Sequence, residues 1–260
     1  FAGIFGSLII STLNSVNPTL FSEQILLYGS CILGFASLFF ITRIKINEHV
    51  PSIIKKRTNL SDFDWKTILW ALIPTLFLAV GAGFTIPFIS LFFESVHRLT
   101  TAQFAFWNFI ASILVAAGAM SVPTIKREIG YQLAIPATQA FAIIALVLMA
   151  TTQFYNHLSI SLGIAIGCFL LRQPLMNLAG PMTTEVVMGY VGKRNQEMVS
   201  ALTASIWSGS WFFSSKLFGV MRNQNIDYAN IFLITAVLYT VAVIWYYFLV
   251  KEYQKKIEDK

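Results

Sequence analysis

The sequence predicts an all-α, polytopic membrane protein, a bundle of apolar helices joined by short polar loops. Three observations predict it. Apolar side chains make up 56% of the chain and charged ones only 12%, against about 45–50% and about 25% in a soluble domain, so water is not its main solvent. Apolar stretches recur along the chain without the period-two alternation of a membrane β-strand. Basic residues sort to alternate loops between those stretches, as the positive-inside rule requires.

The eight predicted spans are lettered A to H. Span A is partial. The run Phe1 to Leu13 is shorter than the ~20 residues needed to cross a bilayer, and it lacks the positive region and cleavage site of a signal peptide. The chain is therefore expected to begin inside a span, with an upstream part missing. The other seven stretches fall at roughly 24–43, 67–93, 101–125, 131–153, 158–182, 198–221 and 229–250. Turn residues mark the breaks at Asn17-Pro18, Tyr155-Asn156-His157 and Asn223-Gln224-Asn225.

Orientation follows from the eighteen Lys and Arg residues. Fourteen lie on one side: Arg43, Lys45, Lys55, Lys56, Arg57 and Lys66 between B and C, Lys126 and Arg127 between D and E, Lys193 and Arg194 between F and G, and Lys251, Lys255, Lys256 and Lys260 in the tail. Arg98 and Arg222 lie on the other side, and Arg172 and Lys216 fall inside spans. The basic loops and the C-terminus are expected in the cytoplasm, in an integral protein of a cytoplasmic or inner membrane. Trp65, Trp70, Tyr190, Tyr246 and Tyr247 toward that side, and Tyr155 and Tyr228 toward the other, fit interfacial anchors. The net charge of +6 points to anionic lipid as partner rather than to nucleic acid, because no basic face interleaves with exposed aromatics.

The segment 44–66 is the longest and most charged connection. It divides the end of an N-terminal bundle (1–43) from a six-span block (67–250), which a cytoplasmic tail (251–260) follows. Within the block, C–D–E starts on the basic side and F–G–H on the other, with nearly equal lengths. That is the inverted repeat of many secondary transporters, whose pathway is lined by Gly- or Pro-interrupted helices at matching positions. The first span of each trio is so marked: Gly81, Gly83 and Pro87 in C, and Pro174, Gly180 and Pro181 in F. Each is a candidate hinge or helix break. Membrane helices also tolerate Gly and Pro without functional reason, and it is the matched placement that favours the hinge reading.

Arg172 is the most informative single residue. A charge near mid-span costs at least ~2.5–3.5 kcal/mol on insertion scales, so it needs a carboxylate, backbone carbonyls or a wet cavity. It is expected to contact an anionic substrate group, to pair with an acid in the missing part, or to snorkel from a displaced helix. Gln173 and Asn177 share a face of span F, about 100° round from Arg172. Ser90 and Glu94 extend the Gly83–Pro87 stripe on span C, where Glu94 is either a hydrated interfacial carboxylate or a proton- or cation-coupling acid. Trp207 and Trp211, on the Ser-rich span G, are candidates for stacking on a substrate, with tight helix packing as the plain alternative. Asn108 and Ser112 on span D have the look of an interhelical hydrogen-bonding pair.

Other chemistry is thin. His49, His97 and His157 lack ligand spacing with Cys, Asp or Glu, so no metal site is expected. Cys31 and Cys168 lie in apolar runs as small packed hydrophobes. There is no Walker A loop, dinucleotide-binding turn or nucleophile elbow, so neither ATP hydrolysis nor another enzymatic reaction is expected. No cofactor is implied beyond a coupling ion, H+ or Na+.

The chain resembles the later two-thirds of a major facilitator superfamily transporter. The passages that carry the resemblance are Gly81-Ala82-Gly83-Phe84-Thr85-Ile86-Pro87-Phe88, Leu171-Arg172-Gln173-Pro174-Leu175-Met176-Asn177, and Arg194-Asn195-Gln196 leading into span G. The resemblance implies that A and B are similar to helices five and six, and C to H to helices seven to twelve, with C and F lining the central cavity. The family's short basic loop between helices eight and nine is similar to Lys126-Arg127-Glu128-Ile129-Gly130-Tyr131, which keeps the charge and the Gly but lacks the ordered Asp and trailing basics. The expected function is secondary transport of a small molecule by alternating access, in a monomer that includes the missing N-terminal helices. The alternative is a non-transporting membrane subunit or sensor on the same scaffold. Substrate, direction and coupling ion are not encoded in these residues.

Overall fold

A computed structural model describes residues 63–258 and isolated positions between 12 and 43. Apart from those positions, spans A and B and the connection up to residue 62 lie outside the described residues.

Helix α1, Trp65–Thr85, is capped by Asp64, whose carboxylate accepts from the Thr67 hydroxyl (2.6 Å) and backbone N–H (3.3 Å). Those two bonds hold the carboxyl below its ordinary range. Pro87 has no N–H to offer the carbonyl one turn back, and here the helix tightens into a 3₁₀ turn, Ile86–Phe88. Helix α2, Ile89–His97, continues the span and ends on Arg98 in the left-handed conformation, φ 56°.

A Thr100–Gln103 capping box starts α3, Thr101–Thr151, which takes up spans D and E in one run. Its two limbs meet at Gly130 (φ 74°, ψ 167°), a backbone state that a Cβ would strain. The glycine of the basic loop is therefore the corner itself. A 3₁₀ turn, Thr152–Tyr155, leads to α4, Ile160–Val191, and another, Lys193–Asn195, to α5, Gln196–Asn223. The last helix, α6, Tyr228–Glu258, runs on through the segment predicted as a tail. The predicted span F likewise stops short of the helix, which continues to Val191.

Among the described residues, four runs are long and apolar enough to cross a membrane: Trp65–His97, Thr101–Tyr155, Ile160–Val191 and Tyr228–Lys256. The second holds two predicted spans. Helix α5 is not among them, because Ser200, Ser205, Ser208, Ser210, Ser214 and Ser215 dilute its apolar content. The described residues thus form an all-helical, membrane-capable bundle, while predicted spans A and B lie outside them.

Contacts sort the helix ends into two sets. At one end Lys126 pairs with Glu185 (2.7 Å), Tyr190 donates to Glu252 (2.7 Å), and the Asp64 backbone N–H donates to Asn195 (3.4 Å). At the other, Gln153 bonds Asp227 (3.0 Å) and the Ala229 N–H (2.8 Å), His97 meets Thr152 (3.0 Å), and Ser95 meets Tyr228 (3.3 Å). The basic loops within the described residues therefore share one end, as their alternation along the chain requires.

Helix α1 packs chiefly on α5 and α6, α4 packs on both limbs of α3, and α3 packs on α6. The α1 contacts are close because glycine permits them. A Cβ at Gly81 would lie 2.8 Å from the Tyr239 ring, and one at Gly83 would lie 2.7 Å from Ser214 Cβ. Hydroxyls sew the same seam: Ser214 donates to the Val80 carbonyl (3.0 Å), Thr235 to that of Gly81 (3.3 Å), and Thr85 to the Thr235 oxygen (2.9 Å). The Phe88 and Phe218 rings stack with centroids 3.5 Å apart, tying the 3₁₀ turn to α5. Gly81 and Gly83 are thus packed joints, and the interruption lies beyond them at Ile86–Phe88.

Gly81→Val is expected to lower the stability of the detergent-solubilised protein by about 1–3 kcal/mol through overpacking against Tyr239. Gly163, with nothing within 4 Å of its Cβ position, is expected to accept Ala with no loss of stability. Thermal melts followed by circular dichroism compare the two.

Candidate functional site

A cavity of about 160 Å³ opens among five helices. Thr75 and Leu78 of α1, Gln139 of the second limb of α3, and Tyr246 of α6 form one part of its wall. Met176, Gly180, Thr183, Thr184, Val187 and Met188 of α4, with Thr203 and Trp207 of α5, form the rest. No charged side chain lines it.

The helix geometry of α4 explains its share. Residues 176, 180, 183, 184 and 187 recur at three- and four-residue steps, so they occupy one face. Pro181 has no N–H to offer the Asn177 carbonyl one turn back, and separately the Gly180 carbonyl accepts from the Thr183 and Thr184 hydroxyls (2.9 Å each). Helix α4 continues without a break through Pro174 and Pro181. The two trios therefore differ: the 3₁₀ interruption occurs in the first and has no counterpart at the matching helix of the second.

The polar groups facing the cavity are not all satisfied. Thr75 Oγ1 and Tyr246 Oη are hydrogen-bonded at 3.0 Å. Gln139 is 2% exposed, and its Oε1 has no hydrogen-bond partner. A buried amide without a partner is costly in an apolar interior, so it marks a place where something polar belongs.

Of the predicted pathway residues, Trp207 lines this cavity, at 37% exposure, and so does Gly180 from the predicted hinges. The others are dispersed. Arg172 lies one turn before Met176 on the same face of α4, outside the cavity lining, buried beside the Tyr239 hydroxyl, and neither its Nε nor Tyr239 Oη completes a hydrogen bond. Among the described residues no carboxylate pairs with it. Asn177 is exposed and donates to the Gln173 carbonyl (2.8 Å), while Gln173 is half-buried. Ser90 and Glu94 are exposed on α2 toward the less basic end, and Trp211 packs its backbone against Gly83. The Ser112 hydroxyl bonds the Asn108 carbonyl within its own helix (2.8 Å).

Sequence reasoning missed Thr75, Gln139, Thr183 and Tyr246. Tyr246 was expected as an interfacial anchor but is 3% exposed and part of the cavity wall. Gln139 carried a usable signal, since it is an uncharged polar side chain inside an otherwise apolar span. A second recess of about 470 Å³ lies at the other end, between His97, Arg98, His157 and Ser161. Among the described residues no group of three His, Cys, Asp or Glu is placed to hold a metal ion.

The fold is similar to that of a bacterial homologue of the iron transporter ferroportin, solved in an inward-facing state. The TM-score is 0.58 at 11% identity, and the match covers 72% of this chain and 45% of that one. The chain thus spans less than half the length of that protein. At this identity the likeness shows the fold alone, an all-helical bundle whose long apolar helices can cross a membrane. No protein-family model and no curated protein matches the sequence.

Removing one partner of the Thr75–Tyr246 bond strands the other. Thr75→Val or Tyr246→Phe alone is expected to cost about 1–3 kcal/mol, and the double variant less than the sum. A double-mutant cycle by thermal unfolding reads the coupling.

Proposed function

We propose that this chain is part of a secondary transporter that moves a small molecule by alternating access, with its basic loops and C-terminus in the cytoplasm. In this proposal the trios C–D–E and F–G–H form an inverted repeat, the remaining wall of the pathway comes from helices upstream of residue 63, and the complete protein acts as a monomer. The bias comes from the substrate gradient or from coupled H+ or Na+, and no covalent chemistry is involved.

The observation that carries the proposal is the cavity of about 160 Å³, walled by helices of both trios inside a membrane-capable bundle and rimmed by the partly exposed Trp207. The transporter-like fold supports it. Such a site, reached by several helices that can shift against one another, is what rocking of two bundles needs. In the first trio, the 3₁₀ turn at Pro87 is the pivot we assign, while Gly81 and Gly83 keep α1 attached to α5 and α6.

One observation favours the second reading, a non-transporting subunit or sensor. Arg172 is packed inside the bundle at 1% exposure and lines no part of the cavity, so the charge expected at a pathway serves the packing of α4 against α6 instead.

The test is uptake profiling of the full-length gene product in proteoliposomes under imposed proton or sodium gradients. Gradient-dependent accumulation is expected, and Trp207→Ala is expected to lower it about tenfold. Arg172→Gln is expected to stay within about threefold of wild type, because the guanidinium does not reach the cavity. Absence of flux under either gradient, with the protein folded, would favour the sensor.

A further inference from the structure

We propose that the cavity recognises a small, uncharged molecule with an amide edge, a carboxamide or a lactam, held by Gln139 and Trp207. The inference deepens the transport reading of the same site.

Charge is the first discriminator. Thr, Gln, Tyr, Trp, Met, Leu, Val and Gly residues make the wall, and an ionised ligand would leave water for a place with no counter-charge. The nearest acid along α4, Glu185, is exposed and already paired with Lys126 at 2.7 Å. A hard metal cation would find neither carboxylate nor imidazole in the wall.

Hydrogen-bonding capacity is the second. Gln139 presents a carboxamide at 2% exposure with Oε1 unpartnered. A primary amide carries an acceptor and a donor side by side, and the complementary edge is another amide, which meets both at once. The Thr75–Tyr246 pair supplies a further group. Two hydroxyls share one hydrogen bond of 3.0 Å, so one O–H proton remains to be given, and a ligand carbonyl can accept it. The Thr183 and Thr184 hydroxyls do not compete, since both donate to the Gly180 carbonyl.

Size and shape are the third. The volume, about 160 Å³, is close to that of an apolar cavity known to take benzene, ~150 Å³. One ring with a short substituent fits. The Trp207 indole offers it a flat face, and the Met176 and Met188 thioethers adapt to its edge.

The experiment is equilibrium dialysis of the full-length protein in detergent against radiolabelled nicotinamide, a neutral ring with a carboxamide. Nicotinate, its anion, and 3-methylpyridine, which lacks the amide, serve as competitors. Saturable binding is expected, with unlabelled nicotinamide displacing label at least about tenfold better than either competitor. Gln139→Leu and Trp207→Leu are each expected to weaken binding about tenfold. The thermal midpoint of Gln139→Leu is expected to hold or rise, because an unsatisfied polar group is removed. No saturable binding below about 10 mM nicotinamide overturns the proposal. Equal displacement by the three compounds, wild-type affinity in both variants, or a lowered midpoint in Gln139→Leu would also overturn it. Binding is read without flux, so nicotinamide binding without uptake would sink only the transport reading. Uptake of another solute without nicotinamide binding would sink only this one.

Discussion

Hydrocarbon offers no water to a polar atom, so every hydroxyl, amide and helix interruption in this bundle must be satisfied by the bundle itself. Most are. Thr138, Ser205 and Thr240 fold back onto carbonyls of their own helices at 2.7–2.9 Å, while Ser214, Thr235 and the Trp245 indole cross to carbonyls of α1. This crossing set holds α1 against two neighbours and fixes where the remaining space lies. Among the described residues five buried side-chain atoms stay unpaired, and Gln139 Oε1 is informative because it is the one of them on the cavity wall.

Much of the helical frame was legible in the sequence, and the reason is energetic. Spans must be long and apolar, and loops must carry the charge, so composition alone located α1–α2 and both limbs of α3 to within a few residues, and the starts of α4 and α6 but not their ends at Val191 and Glu258. The corner at Gly130 was visible as a glycine in a basic loop. What composition does not encode is rotation about each helix axis. Arg172 and Asn177 both read as polar residues on one span, yet packing turned the first inward to Tyr239 and left the second outside. For the same reason Tyr246 looked like an anchor and proved to be cavity wall. The continuity of α4 was also illegible, since Pro174 and Pro181 each remove one backbone bond locally and composition does not say whether the helix runs on through them.

The two trios share a packing plan without sharing a mechanical one. In each, the first helix leans on the second and third helices of the other, but only α1–α2 carries a 3₁₀ turn. Stiffness is therefore unequally distributed. Helix α4 is a continuous rod bearing half the cavity wall, whereas the opposing span tightens into a 3₁₀ turn where α5 stacks on it through Phe88 and Phe218.

Helix α6 does not end with its apolar stretch. Its charged extension grips the end of α4: Glu252 accepts from Tyr190, the Tyr253 hydroxyl lies over Gly189, and the Lys256 ammonium sits 3.8 Å above the Tyr190 ring. The last turns therefore behave as a handle bolted to the rod that bears the cavity. A spectroscopic label carried on this handle would report the tilt of α4 directly, reading motions of the cavity wall from the charged end of the helix without any alteration to the wall itself.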